Sequence, residues 1–419
     1  MMLRTIWKWL LLVGPGIFCI GYTIGTGSVT TMAKSGSVYG MQLLWVLALS
    51  CLFSWILMEA YGRFAVVTGG TAINGFKRYL KFGKILAIAT AIGVVIGQWN
   101  SLSGILGLSS HALYEVGRLF IPLLPEENYW PVLLIAILLI ASMYGLMLVG
   151  KYSFFETILI IFVAIMGIAF IISMFIVLPP PDEIAKGFIP SIPDTPGANI
   201  IVAAFVGTTM AAPTFVVRPL LMKEKGWKQE NTRDQSRDAF ISALFMFIIS
   251  GSIMVCATGA MFHEGRTIEK VLDMVYTLEP VAGRFAVAIF MVGTISAGLS
   301  SIFPIMMVAP LLISDYRAGK MEPRSKIFRW FTGIACFIGL TIPLLGANPI
   351  AAQIATQVAN VFVLPLVIGG IMYLVNLKEL MGKHRAGIIL NTGMTLALIF
   401  ACFISYLGIM EIINSLRLI

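Results

Sequence analysis

Long apolar stretches occupy almost the whole of this 419-residue chain. A helix needs roughly 20 apolar residues to cross the hydrocarbon core of a membrane, and we count eleven stretches of that length. They cover residues 9–33, 41–62, 86–113, 130–150, 154–178, 199–221, 239–262, 281–314, 328–346, 350–376 and 387–413. Little sequence is left between them. The pattern therefore predicts an all-α membrane protein that forms a single transmembrane domain over residues 1–419.

Lysine and arginine crowd into alternate loops, which predicts the orientation of the chain in the membrane. The loops before the first span and after every second span hold most of these residues, whereas the other loops hold few, among them Arg118, Lys186, Arg266 and Lys270. Loops rich in Lys and Arg stay in the cytoplasm. We therefore expect a multi-pass protein of the inner (plasma) membrane, with its amino terminus in the cytoplasm and its carboxyl terminus outside.

Several classes of protein do not fit this sequence. Hydrophobic residues make up 58% of the chain and charged residues 12%, far from the balance of a soluble domain. The net charge of +9 follows from the cytoplasmic loops and does not indicate nucleic-acid binding. The five cysteines lie in apolar stretches without CxxC spacing, which indicates neither disulfides nor a zinc site. No nucleophile with a nearby base and no phosphate-binding loop is recognisable, so we expect no enzyme and no cofactor.

Two of the predicted helices are interrupted. Gly21, Gly25 and Gly27 lie in the middle of the first span, and Gly207 and Pro213 lie in the sixth. Irregular backbone at membrane depth is tolerated only where it is buried in protein or lines a cavity. Two broken helices that are five positions apart in the order of spans are typical of transporters built from inverted repeats, in which the substrate binds between the breaks. We predict repeats at about residues 9–178 and 199–376, with an additional helix at about 387–413.

The sequence resembles the Nramp family of metal transporters over nearly its whole length. The resemblance is carried first by residues 14–46, GPGIFCIGYTIGTGSVTTMAKSGSVYGMQLLWV, and by Gln357, eight residues before Pro365 in helix ten. It is supported by MEAYGR in helix two, by Gly207-Thr208-Thr209 in helix six, and by LKELMGKHR after helix ten. The resemblance implies a LeuT-type fold and a transporter that rocks between inward-open and outward-open states, moving divalent metals with protons in most members.

The chain departs from the family where that family binds its metal. The family motif Asp-Pro-Gly-Asn aligns with residues 25–28, which read Gly-Thr-Gly-Ser, and Met-Pro-His aligns with residues 211–213, which read Ala-Ala-Pro. The carboxylate, amide and thioether ligands are therefore missing, and the remaining groups match poorly the ligands that Mn²⁺ or Fe²⁺ prefers. The ligands of any metal are consequently unknown from the sequence.

We expect the substrate to bind where the two breaks meet helix ten. The candidate substrate-binding residues are Gly25, Thr26, Gly27, Ser28, Thr208, Thr209, Ala211, Gln357 and Asn360. An unwound helix frees backbone groups that can coordinate an ion, although small residues at a packing kink would give the same pattern. Gln357 stands where the resemblance implies a residue that closes onto the substrate.

Four charged residues in or near the spans are candidates for coupling or gating. Glu59 is four residues from Arg63, a spacing that predicts a local ion pair, and Glu156 lies near a helix start. Arg218 stands where the resemblance implies a histidine on a proton path. A cation there either attracts an anion or replaces proton transport, although we slightly favour a side chain that extends to the membrane surface. Lys34 either shapes an outer vestibule or interacts with lipid headgroups.

The sequence leaves more than one function open. The first is transport of a divalent cation that keeps part of its hydration shell. The second is transport of a small anion, carboxylate or amino acid by the same fold. The Gly25-x-Gly27 pattern in the broken first helix resembles the carboxylate-binding break of LeuT-type amino-acid transporters, and Lys34 and Arg218 add positive charge. The third is a membrane sensor, which would need an output domain that the approximately six residues after the last span cannot supply. The partners expected are a small transported ion or solute and the lipid bilayer, while the sequence gives no indication of the oligomeric state.

Overall fold

The computed structural model describes residues 14–121, 123–125, 129–148, 152–320, 322 and 325–417. Within these ranges the chain is helical and contains no β-strand. The helices are α1 (Gly14–Thr23), α2 (Thr26–Tyr39), α3 (Leu44–Thr68), α4 (Ala72–Tyr79), α5 (Gly83–Phe120), α6 (Tyr129–Leu148), α7 (Tyr152–Ile176), α8 (Pro181–Lys186), α9 (Ala198–Thr209), α10 (Ala212–Glu224), α11 (Thr232–Met261), α12 (Val271–Ala318), α13 (Lys326–Gly339), α14 (Thr341–Leu345), α15 (Pro349–Val361), α16 (Leu364–Asn376), α17 (Lys378–Met381) and α18 (Ile388–Arg417).

The predicted membrane spans correspond to these helices. Ten helical segments in the described ranges are long and apolar enough to cross a membrane. The interrupted pair α1 and α2 corresponds to the remaining predicted span, of which residues 9–13 lie outside the described part of the chain. The all-α membrane architecture expected from the sequence is therefore confirmed.

The helices differ in how deeply they are packed inside the protein. Of the most apolar part of α9 and α10 (Ala198–Glu224), 94% is buried, and the corresponding value for Val287–Ala318 of α12 is 89%. For α18 it is 22%. The broken sixth span therefore lies at the centre of the bundle, whereas the last helix lies at its periphery with most of its surface free to contact lipid.

Both predicted helix breaks are present. Helix α1 ends at Thr23 and α2 begins at Thr26, with the intervening Gly25 in an extended conformation (φ −94°, ψ −167°). Helix α9 ends at Thr209 and α10 begins at Ala212, with Met210 at φ −99° and ψ 42°. Pro213 lies in the first turn of α10, where its missing N–H costs no helical hydrogen bond.

Helix ten, predicted as one continuous span over 350–376, is also interrupted. Helix α15 ends at Val361 and α16 begins at Leu364, immediately before Pro365. Proline has no N–H to donate to the carbonyl group four residues earlier, and its ring clashes with that carbonyl, so the helical hydrogen bonding is interrupted here. The break separates Gln357 and Asn360, at the end of α15, from the apolar helix α16.

Candidate functional site

A small polar cavity lies between the two breaks, where α1, α2, α9 and α10 meet α5, α12 and α15. Its lining residues are Tyr22, Thr23, Gly25, Gly27, Gln98, Ser101, Ile105, Thr208, Ala211, Ile305, Gln357 and Asn360. Six of the nine candidate binding residues expected from the sequence thus surround one space. All of the lining residues are buried, so any bound solute would be held inside the helix bundle.

One wall of the cavity is a chain of hydrogen-bonded amides. Asn360 Nδ2 donates to Gln357 Oε1 (3.0 Å), and Gln98 Nε2 donates to Asn360 Oδ1 (3.2 Å). Gln357 Nε2 in turn lies 3.2 Å from Gln353 Oε1 and 3.4 Å from Ser101 Oγ. Because each amide fixes the orientation of the next, a change in one side chain is transmitted to the others.

The broken helices form the opposite wall, with Thr23 and Thr208 in the lining and Ser28 behind them. Thr208 Oγ1 lies 3.4 Å from Thr23 O and 3.4 Å from Ser28 Oγ, so it joins the two breaks directly. Ser28 Oγ is also 3.4 Å from Ser250 Oγ. These contacts are long for hydrogen bonds between oxygen atoms, which leaves the groups free to reorient towards a bound solute.

Tyr22 adds a polar group that the sequence gave no reason to single out. Its ring stacks on Phe18 with centroids 6.1 Å apart, and its side chain is 5% exposed. Its hydroxyl has no hydrogen-bond partner among the described residues, although it lies in the cavity lining. A buried hydroxyl without a partner is costly, so this group is available to a ligand or to a water molecule in the cavity.

Three of the expected site residues do not line the cavity. Ser28 and Thr209 are buried behind it, and the backbone carbonyl of Thr209 accepts a hydrogen bond from Ser54 Oγ at 2.9 Å. Thr26 begins α2, but its side chain lies outside the described part of the structure, as does that of Glu156 in α7.

The interpretation of Arg218 as a side chain that extends to the membrane surface is wrong. Arg218 is 0% exposed, and its Nη2 lies 2.7 Å from Oδ2 of Asp238, which is equally inaccessible. The carboxylate also accepts a hydrogen bond from the backbone N–H of Gly16 (3.1 Å). A guanidinium enclosed in apolar surroundings requires a partner, and α11 supplies one that sequence spacing could not reveal. The ion pair holds α1, α10 and α11 together.

The ion pair belongs to a larger polar cluster. Gln235 accepts from Arg218 Nη2 through its backbone carbonyl (3.2 Å) and donates its side-chain amide to Glu59 Oε2 (2.8 Å). Glu59 also pairs with Arg63 at 2.8 Å, which confirms the predicted local pair. Glu59 therefore links α3 to α11 and lies outside the cavity lining.

Lys34 also lies away from the cavity. Its Nζ is 3.4 Å from Glu269 Oε1 in the segment before α12, and the backbone carbonyl of Glu269 accepts from Asn348 Nδ2 (2.9 Å). Through Glu269, these two contacts link α2 to the start of α15. Because Glu269 is largely exposed, the ion pair contributes little to stability.

The sequence analysis missed the face of the cavity that α5 forms. Gln98 and Ser101 line the cavity, and Gln353 supports it through a 2.8 Å hydrogen bond from Nε2 to Ser101 O. Asn100, which lies between Gln98 and Ser101 in the sequence, is instead exposed, and its Nδ2 donates a hydrogen bond to Ile96 O within its own helix. Gln353, Gln357 and Asn360, at i, i+4 and i+7, form a polar stripe on α15 that would have indicated Gln353.

The lining carries no ionised group. It contains amides, hydroxyls, backbone and apolar side chains, but no carboxylate, imidazole, lysine, arginine or thioether. Within the described residues no group of three His, Cys, Asp or Glu side chains is arranged to hold a metal ion. A cation in the cavity would therefore meet only neutral oxygen atoms.

A bundle of membrane-spanning helices with paired breaks around a central polar cavity is the architecture of a LeuT-type secondary transporter. Comparison with solved structures agrees: the Eremococcus coleocola manganese transporter matches 97% of this chain and 87% of its own, with a TM-score of 0.74 at 14% identity. A nucleobase-cation-symport-1 family transporter in a closed conformation matches with a TM-score of 0.61 at 12% identity, covering 95% of this chain and 90% of its own. At these identities the likeness establishes the fold.

Comparison of sequences identifies the family. Residues 16–411 match the model of the Nramp family, described as natural resistance-associated macrophage protein-like, and the chain belongs to this family. A relative from Pectobacterium carotovorum, named divalent metal cation transporter, is 25% identical over 90% of this chain and 89% of its own length. Since the family consists of membrane transporters, the expectations of a transporter and of a protein that is not an enzyme are confirmed.

Proposed function

We propose that this protein transports a divalent cation, with part of its hydration shell retained, by alternating access around the central cavity. The relatives named as divalent metal cation transporters match most of the chain, which supports the class of substrate. The cavity itself supports the retained water: neutral oxygens replace a hydration shell less well than carboxylates do, and Mg²⁺ in particular releases its water reluctantly. The match to the Nramp family is the single observation that carries the class of substrate.

The anion alternative loses the support of its two cations. Lys34 and Arg218 are each paired with an acidic side chain, and neither is among the lining residues.

We assign gating to the polar cluster around Arg218. The Asp238 carboxylate bonds to the backbone of α1 through Gly16, so α1 must break this contact before it can move away from α10 and α11. We further propose that the two repeats cover about residues 9–178 and 199–376. The distribution of Lys and Arg supports an amino terminus in the cytoplasm of a cell whose plasma membrane holds the protein.

Thermal unfolding of the purified protein tests the class of substrate. The panel contains Mg²⁺, Mn²⁺, Ca²⁺, bicarbonate, small carboxylates and amino acids at matched ionic strength. A ligand present at about 100 times its dissociation constant stabilises the folded state by roughly 2.7 kcal/mol. Stabilisation by a divalent cation alone is expected. Stabilisation by an anion or an amino acid alone would refute the proposal.

Ala211→Met is expected to make the cavity bind soft metals. Ala211 lines the cavity, and a methionine there adds the thioether that the residues present lack. We expect the affinity for Cd²⁺, measured by isothermal titration, to rise about tenfold or more, which corresponds to roughly 1.4 kcal/mol. Ala211→Leu, of similar size but without sulfur, is the control and should produce no such gain. Equal Cd²⁺ affinities in both variants would place residue 211 outside the binding site.

A further inference from the structure

The corner between α4 and α5 is strongly basic. Between Glu59 and Glu115 the chain contains no aspartate or glutamate. The basic residues of this stretch are Arg63, Lys77, Arg78, Lys81 and Lys84. The other basic segments on the cytoplasmic side proposed above, residues 223–237, 317–329 and 378–385, each contain acidic residues as well. Residues 78–84, which we call the basic corner, therefore carry positive charge that the nearby sequence does not neutralise.

Three cations of the basic corner are exposed on the surface of the protein. Arg78, Lys81 and Lys84 have no acidic partner within the part of the chain that the structure describes. Lys77 differs, because its Nζ donates to Tyr316 O (3.0 Å) and lies 4.2 Å from the centroid of the Tyr316 ring. Lys84 also lies in the first turn of α5, where the helix dipole disfavours a cation and no acidic residue compensates. An anion from outside the protein would offset this charge.

Two aromatic side chains accompany these cations. Phe82 is 73% exposed, and among the described residues it is the only one other than glycine with a positive φ (59°). A bulky residue rarely adopts this conformation. The turn is fixed by packing, because a Cβ atom added to the next residue, Gly83, would overlap the backbone oxygen of Phe76. Tyr79 is also exposed, at the end of α4. Aromatic residues held outside the protein in this way are typical of the interface between membrane and water.

Helix geometry places the basic corner at the depth of lipid headgroups. Lys84 and Gln98, which lines the cavity, lie on the same helix α5 and are separated by about 21 Å along its axis. The binding sites of such transporters lie near the bilayer midplane, and half of a bilayer with its headgroups measures about 20–22 Å. When the cavity lies at the midplane, Lys84 therefore reaches the phosphate groups of one leaflet.

The side of α5 between the corner and the cavity is apolar and uncovered. Its exposed residues at intervals of three or four are Ile85, Ile88, Ile92 and Ile96. Residues with this spacing lie along one face of a helix. A lipid whose phosphate binds at the corner can place its acyl chains along this face, whereas a free inorganic anion gains nothing from it.

We propose that the basic corner and this face of α5 bind an anionic phospholipid of the cytoplasmic leaflet. Arg78, Lys81 and Lys84 interact with its phosphate, and its acyl chains contact the isoleucines of α5. The ring of Phe82 lies between the headgroup and the chains. Each Lys or Arg near an anionic membrane surface adds to the affinity, so three together distinguish an anionic lipid from a zwitterionic one. This inference does not depend on which solute the cavity carries.

A lipid bound at the corner would stabilise the fold through α4. Asp315, buried near the end of α12, accepts hydrogen bonds from the Thr71 hydroxyl and from the backbone N–H of Ile73 (3.0 Å). The start of α4 is therefore attached to α12. Because the corner is assembled only when α4, α5 and α12 pack together, a ligand that binds it favours the folded state.

The test is thermal unfolding of the purified protein in detergent with added phosphatidylglycerol or phosphatidylcholine. Phosphatidylglycerol is expected to raise Tm by about 2 °C or more over phosphatidylcholine. The triple variant Arg78→Gln, Lys81→Gln, Lys84→Gln should lose this difference. The matched control is the triple variant Arg233→Gln, Lys378→Gln, Lys383→Gln, which removes the same charge from other exposed positions on the proposed cytoplasmic side. It should keep the difference.

Phe82→Gly tests the aromatic side chain without a cost to folding. Glycine adopts a positive φ readily, so in phosphatidylcholine this variant should be at least as stable as the unsubstituted protein. Its response to phosphatidylglycerol should be smaller, because the ring no longer contacts the lipid.

Four results would overturn the site. The first is the same Tm of the unsubstituted protein in both lipids, and the second is a phosphatidylglycerol response that persists in the basic-corner variant. The third is an equal loss of the response in the control variant, which would indicate a general effect of charge. The fourth is an equal rise in Tm with inorganic phosphate alone, which would indicate a site for a free anion. None of these measurements involves a divalent cation, so the outcome is separate from that of the proposed function.

Discussion

Asp238→Ala is expected to be among the most destabilising single substitutions in the chain. It leaves the guanidinium of Arg218 without its counter-ion at a position with 0% exposure, and it removes the acceptor of the Gly16 N–H. Breaking a buried ion pair by removing one partner costs about 3–5 kcal/mol. Denaturant unfolding in detergent micelles, monitored by tryptophan fluorescence, would measure the loss.

Two controls separate the charge effect from a general loss of packing. The double variant Arg218→Met with Asp238→Leu removes both charges and should recover most of the stability, because apolar residues of similar volume can replace a buried pair at little cost. Asp182→Ala breaks the exposed Lys186 pair, which is accessible to water on both sides, and should change little. If the Asp238→Ala protein were as stable as the unsubstituted one, the ion pair would not contribute to stability as we expect.

Gly207→Ala should disrupt the packing that forms the cavity. Gly207 lies in α9 where it touches α15, and a Cβ there would overlap the backbone carbonyl of Gln357 and lie 3.1 Å from a methyl group of Val361. Backbone cannot move aside as a flexible side chain can, so α9 and α15 must separate. Overpacking costs typically about 1–3 kcal/mol, and the shift would also displace Gln357 and the amides bonded to it. We expect loss of both stability and transport.

Gly251→Ala is the matched control for Gly207→Ala. Gly251 is also within a spanning helix, but a Cβ there would meet only a methyl group of Leu47 at 3.8 Å, an ordinary contact. Since alanine favours a helix over glycine by about 1 kcal/mol, this variant should be as stable as the unsubstituted protein or slightly more so. If both variants behaved alike in thermal unfolding and in uptake, the close approach of α9 to α15 would not be required.

The helices and both principal breaks could be predicted because they depend on local chemistry. Runs of apolar residues determine the spans, and the glycines around Gly25 together with Pro213 mark the interruptions. The break before Pro365 was missed, since a proline within an apolar run also occurs in continuous kinked helices. The polar walls of the cavity were only partly predicted: Gln357 and Asn360 were identified, whereas Gln98 and Tyr22 were not.

Contacts between residues far apart in the sequence explain the remaining differences between the predictions and the structure. Arg218 lies close in sequence to Lys223 and Lys225, which suggested the membrane surface, but its partner Asp238 belongs to the next helix and becomes its neighbour only when the bundle packs. Asn100 and Gln98 illustrate the same limit within one helix: only the packing of α5 decides that Gln98 faces the cavity and Asn100 does not.

The most direct test of the central claim is divalent-cation uptake into vesicles containing the purified protein, with and without Gln357→Leu. Gln357 bonds to Ser101, Gln353 and Asn360 around the cavity. We expect the unsubstituted protein to carry Mg²⁺ or Mn²⁺ and Gln357→Leu to reduce uptake about tenfold or more. Gln42→Leu, at an exposed position bonded to Ser191, should leave uptake intact. Absence of divalent uptake by the unsubstituted protein, or full uptake by Gln357→Leu, would contradict transport of a divalent cation through this cavity.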